Sequence, residues 1–155
     1  MPKVKYGNIA ISENKSDLPS CSMTTDFEAE DFANKTGSRL FIPLCPLKKS
    51  NFNLPANEKR LYDIIINDGY SMTDSIIYNI PDKYMAESLP KNINLETPFG
   101  KLKVQIVKKD DQIIFTQHVT IYGGRYDKSN YKDIRHFYSQ ITSASKLKFV
   151  LKKTE

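Results

Sequence analysis

Apolar and polar residues alternate through two stretches between Pro98 and Tyr122. In the first, Leu102, Val104 and Ile106 interleave with Lys101, Lys103 and Gln105. In the second, Ile113, Phe115, Val119 and Ile121 fall on one side and Thr116, His118 and Thr120 on the other. A period of two sends successive side chains to opposite faces of a strand, so the pattern predicts two half-buried antiparallel strands. The tetrad Lys108-Lys109-Asp110-Asp111 is their expected hairpin connection. Two strands alone bury too little to be stable, so the remaining chain has to cover their apolar face.

Shorter alternating runs precede this hairpin. Strands are expected at Val4 to Ile11, Ser22 to Ala33, Arg39 to Leu44, Leu61 to Ile66, Thr73 to Ile80, Tyr84 to Leu89 and Ile93 to Glu96. Asn34 to Gly37 and Asn67-Asp68-Gly69 carry turn residues, and Lys48 to Lys59 reads as a long polar connection. After Gly123-Gly124 the period changes. Ile134, Phe137, Tyr138, Ile141 and Ala144 share one helical face, which predicts a helix over about Tyr131 to Ser143 with Ser129 or Asn130 as its cap. Leu147, Phe149 and Leu151 then alternate with lysines in a closing strand. The expected fold is mostly β, an antiparallel β-sandwich with immunoglobulin- or fibronectin-like layers and one helix near the C-terminus. Residues 1–155 are taken as one domain, with 1–20 contributing a first edge strand and a loop.

The length suits a single domain with a real core, and 39% hydrophobic with 26% charged residues is an ordinary soluble balance. No apolar run reaches the ~20 residues that span a bilayer, and the first residues lack a signal-peptide core. The net charge of +5 is uneven: 11 Lys/Arg face 13 Asp/Glu up to Thr97, then 12 face 5. Lys101, Lys103, Lys108, Lys109, Lys146, Lys148 and Lys152 form a basic surface if the closing strand lies beside the hairpin. The same lysines also serve as guards on exposed strand positions. No aromatic interleaves Lys101 to Lys109 and no Arg fork is placed to read a base edge, so at most weak, salt-sensitive polyanion binding is expected, and nucleic acid is not the expected partner.

Other chemistry is sparse. Cys21 and Cys45 are too few and too far apart for a disulfide framework or a CxxC site. Neither His118 nor His136 has a second His or Cys near it in sequence, as a zinc site requires. Asp110-Asp111 and Glu28, Glu30 and Asp31 lack EF-hand spacing, and Gly123-Gly124-Arg125 lacks a phosphate-loop spacing. Tyr122, Tyr126, Tyr131, Phe137 and Tyr138 are read as packing around the helix. No catalytic, metal or cofactor residue is assigned. A thiol hydrolase built on Cys21 or Cys45 with a histidine and an aspartate is the enzymatic alternative.

The order Tyr84, Leu89-Pro90, Pro98-Phe99-Gly100, the hairpin, Gly123-Gly124, Tyr126, Tyr131, Phe137 and Lys148-Phe149-Val150-Leu151-Lys152 resembles the C-terminal β-sandwich module of bacterial transglutaminase-like proteins. The resemblance runs from about Leu61 to Lys153, with Gly37-Ser38-Arg39-Leu40 as an earlier match. It implies a module of uncharacterised function following a papain-like catalytic domain. The family's catalytic residues belong to that preceding domain, so none carries over here. The implied role is a non-catalytic accessory module that packs against, or presents substrate to, a transglutaminase-like catalytic domain. The implied setting is the periplasm or cell envelope; a complete chain without a signal peptide would instead be cytoplasmic.

Overall fold

In the computed structural model of the protein, residues 3–46, 54–56 and 60–154 are described. Most of the expected connection from Lys48 to Lys59 lies outside them. The sequence reading takes 1–155 as one domain; the contacts divide the chain into two compact units, residues 1–34 and 35–155.

The first unit is a long hairpin of β1 (Val4–Asn14) and β2 (Ser20–Ala29). Val4 faces Ala29, Tyr6 faces Phe27, Ile9 faces Thr25 and Ile11 faces Met23, with a register shift between Tyr6 and Ile9. Because faces alternate along a strand, these apolar residues lie together, while Lys5, Glu28, Ser12 and Ser22 take the other side.

The second unit holds β3 (Asn34–Thr36), β4 (Arg39–Pro43), β5 (Ile64–Ile66), β6 (Tyr70–Asn79), β7 (Tyr84–Ser88), β8 (Ile93–Thr97), β9 (Gly100–Lys109), β10 (Gln112–Ile121), β11 (Gly124–Tyr126), α1 (Tyr131–Ala144) and β12 (Lys148–Lys153). One four-stranded sheet has the order β6-β10-β9-β8, another the order β3-β4-β12-β7, and β11 pairs with β5. Every pairing with a defined register is antiparallel. The expected β9–β10 hairpin is present, with Lys109 opposite Gln112 and Asp110 at φ 50 in its turn. The mostly-β, sandwich-like architecture with a single C-terminal α-helix is therefore as expected.

The core lies on the inner face of β9 and β10. Leu102, Val104, Ile113, Phe115, Val119 and Ile121 are buried there, together with Ile134, Phe137 and Ile141 of α1 and Phe149 and Leu151 of β12. Tyr78 of β6 ties the sheets together: its ring meets Phe149 edge-on at 5.0 Å and its hydroxyl donates to Pro43 O at 2.8 Å.

Some elements differ from expectation. The strand expected over Leu61 to Ile66 shortens to Ile64–Ile66, because its partner β11 is only three residues long, and Leu61 and Tyr62 are left exposed. The strand expected from Thr73 begins at Tyr70, where the register against β10 extends to Ile121. The helix ends at Ala144, close to expectation, but neither expected residue caps it through its side chain. Asn130 makes no side-chain cap bond, and Asp127 instead accepts from Ser129 N at the start of a short 3-10 turn. The Ser129 side chain first, and its backbone N–H second, hold the Asp127 carboxyl below its usual range.

Candidate functional site

The β9–β10 hairpin sends Lys101, Lys103 and Gln105 and, beside them, Thr116, His118 and Thr120 to the outer face of the β6-β10-β9-β8 sheet. Across β6 the same face continues through Ser71 and Thr73, and across β8 through Asn94 and Glu96. His118 lies centrally in it, half-buried, between Thr73 on one side and Lys103 on the other. Its Nδ1 is 2.8 Å from Thr73 Oγ1. Its Nε2 is 3.1 Å from Thr120 Oγ1 and 3.3 Å from Ser71 Oγ, and those two hydroxyls are themselves 3.3 Å apart. Three polar atoms thus form a small triangle open to solvent.

The seven lysines of the basic surface are all exposed, but they are not gathered on one face. Lys101, Lys103 and Lys109 project from the outer side of β9, whereas Lys108 at the hairpin end has the opposite parity. Lys148 and Lys152 belong to β12, which pairs with β4 and β7 in the other sheet and not beside the hairpin, and Lys146 just precedes it. The condition for a single continuous basic face is therefore not met. Two of the charges are also engaged. Lys101 pairs with Glu96, which raises its ammonium's affinity for the proton, with Tyr122 adding to the effect. Lys152 lies near the Glu87 carboxylate, which a hydrogen bond from Arg39 holds below its usual range. Lys103 makes no ion pair among the described residues.

Cys45 is buried after β4 and Cys21 is exposed on β2, and neither is in a disulfide. Among the described residues, the side-chain hydrogen-bond partners of His118 are the three hydroxyls, and His136 lies on the exposed side of α1. Among the described residues no three His, Cys, Asp or Glu side chains gather as metal ligands, and no helix is long and apolar enough to cross a membrane.

Ser71 and Thr73 were not singled out by the sequence. Thr73 had only an outward position at the start of an expected strand, and Ser71 lay before that strand's expected start.

A comparison of the chain with known families decides its membership. Residues 38–151 match a family described as a domain of unknown function with a solved structure, DUF3858. The chain belongs to the DUF3858 family. The match covers the second unit almost completely and leaves the β1–β2 hairpin outside it. No curated protein and no solved structure matched the chain.

Proposed function

We propose that this chain is a non-catalytic accessory module of a transglutaminase-like cell-envelope protein, packing against or presenting substrate to a catalytic domain outside this sequence. The observation that carries the reading is the apolar face of the β1–β2 hairpin. Val4 is 40% exposed, Phe27 43%, Ile9 60%, Ile11 66%, and Tyr6 and Met23 67%. A two-stranded hairpin is marginal in water, and covering each such side chain contributes about 1.5–3 kcal/mol. A face of this kind is stabilised by an apolar surface on another domain. The residue order that resembles the C-terminal module of transglutaminase-like proteins supports a catalytic domain as that neighbour.

The coding sequence adjoining this one is the first test. An upstream transglutaminase-like domain is expected there, and its absence would count against the reading. With that domain in hand, Tyr6→Lys and Ile11→Lys should each weaken its association with this chain by tenfold or more, since one buried large apolar side chain is worth about 1.5–3 kcal/mol. The unfolding of residues 35–155 should stay unchanged in both variants. Association that is indifferent to these substitutions would remove the hairpin face from the interface.

A further inference from the structure

We infer that the inner face of the β6-β10-β9-β8 sheet carries a site for a primary alkylammonium group, held by Asp74 of β6 and Gln117 of β10. The inference stands apart from the accessory-module reading, because it uses a different unit and different chemistry.

Burial alternates along β10, with Phe115, Gln117 and Val119 inside and Thr116, His118 and Thr120 on the other face. Gln117 is 3% exposed in a row that is otherwise apolar. Asp74 stands directly opposite it on β6, between Met72 and Ile76. Two polar side chains therefore meet on the inner face, flanked by Phe115 and Val119 on β10 and by Val104 on β9. Each has a buried oxygen that accepts no hydrogen bond among the described residues, Oδ2 of Asp74 and Oε1 of Gln117. Leaving such atoms unpaired costs stability, whereas apolar side chains of the same shape would be tolerated there. An arrangement that works against the fold in this way is accounted for by a ligand that completes it.

These two atoms set the class of ligand. Both are acceptors, so the ligand has to donate at least two hydrogen bonds. Asp74 makes no ion pair among the described residues, so the group that completes it carries a positive charge. A hard metal ion would need about six oxygens, and among the described residues no three His, Cys, Asp or Glu side chains gather. An ammonium group brings three N–H donors on a head more compact than a planar guanidinium. Directly opposed residues of an antiparallel pair have Cβ atoms about 4.5–5.5 Å apart, so one ammonium between them can donate to both oxygens. The neighbouring Met72, Ile76, Phe115 and Val119 suit an alkyl stem. Asp74 is half-buried and lies on the end strand of the sheet, so the group reaches the pair from that side.

The test follows the side-chain amide signals of Gln117 by NMR, assigned with Gln117→Met, during titration with n-butylammonium chloride against tetramethylammonium chloride at matched ionic strength. Tetramethylammonium carries the charge but has no N–H to donate. Butylammonium is expected to move the Gln117 signals saturably, with a dissociation constant on the order of millimolar, as suits so small a ligand. Tetramethylammonium should leave them in place. Asp74→Asn should weaken butylammonium binding tenfold or more, since it removes a charge-assisted hydrogen bond. Nα-acetyl-lysine methylamide serves as the second probe: binding more than tenfold tighter than butylammonium assigns the site to a lysine side chain of a polypeptide, and equal binding assigns it to a free amine. A Gln117 carboxamide turned to donate to Asp74, or a water shared by the two oxygens, would leave the signals indifferent to butylammonium. That indifference, a response that tetramethylammonium reproduces, or binding unchanged in Asp74→Asn would overturn the proposal.

Discussion

Gly100 opens β9 at the point where the sheet meets α1. A Cβ there would run into the carbonyl oxygen of Thr120 and stand 3.0 Å from two ring carbons of Phe137, and the backbone sits at φ +155. Gly100→Ala is expected to cost roughly 2–5 kcal/mol, combining overpacking with backbone strain. Urea unfolding measures it; a loss below about 1 kcal/mol would mean that the strand simply moves aside. Gly37 gives the contrast, since its φ is +58 but a Cβ there meets nothing within 4 Å. Gly37→Ala should therefore lose only the backbone preference, about 1–2 kcal/mol. In the sequence Gly37 reads as a turn residue, and Gly100 stands out only within Pro98-Phe99-Gly100. The difference between them is the Thr120 carbonyl of the neighbouring strand and the ring of Phe137, both of which arrive from later in the chain.

At the scale of elements, Tyr78 shows how the two sheets are joined. Its strand was read from alternation, and its inward direction with it, but its partners Pro43 and Phe149 come from the other sheet. Burial pushes the Tyr78 phenol up from 10.0 to about 12, and the nearby Cys45 acts in the same direction. The unfolded chain releases this proton near pH 10, whereas the folded protein holds it until about 12. The contribution is complete below pH 10.0 and is lost progressively as the pH rises toward about 12. Tyr78→Phe should flatten that alkaline loss while giving up about 1 kcal/mol at neutral pH with the hydrogen bond to Pro43. Unfolding curves on both sides of pH 10 decide it. An alkaline limb identical in the variant would place the titration on another group.

The whole molecule divides its two thiols between two environments. Cys45 is 3% exposed in the second unit, and Cys21 is exposed in the first. A thiol-directed alkylator is expected to modify Cys21 in the folded protein and Cys45 only through unfolding, so that Cys45 labelling rises with urea in step with global unfolding. Rapid labelling of Cys45 without denaturant would instead favour the thiol-hydrolase alternative. The division also bears on the basic residues. Placing Lys148 and Lys152 in the β3-β4-β12-β7 sheet spreads the positive charge of the C-terminal half over two layers. Polyanion binding by that dispersed set should be lost between low and physiological salt, which leaves Lys103 beside His118 as the concentrated feature.

Local pattern by itself determined the elements: the β9–β10 hairpin, the helix over residues 131–144, and the inward positions of Leu102, Val104, Phe115, Phe137 and Phe149. Periods of two and of 3.6 are set by backbone geometry, so they survive in a single chain read alone. Tertiary structure decided which strands became neighbours. The closing strand could have paired with the hairpin or away from it at equal cost in local pattern; in the fold it pairs with β4 and β7, with Phe149 and Leu151 buried and Phe149 edge-on to Tyr78 of β6. The triangle of Ser71, Thr120 and His118 exists for the same reason. His118 and Thr120 are two residues apart on β10, and Ser71 joins them only across the β6–β10 register, a long-range pairing that no stretch of the sequence encodes locally.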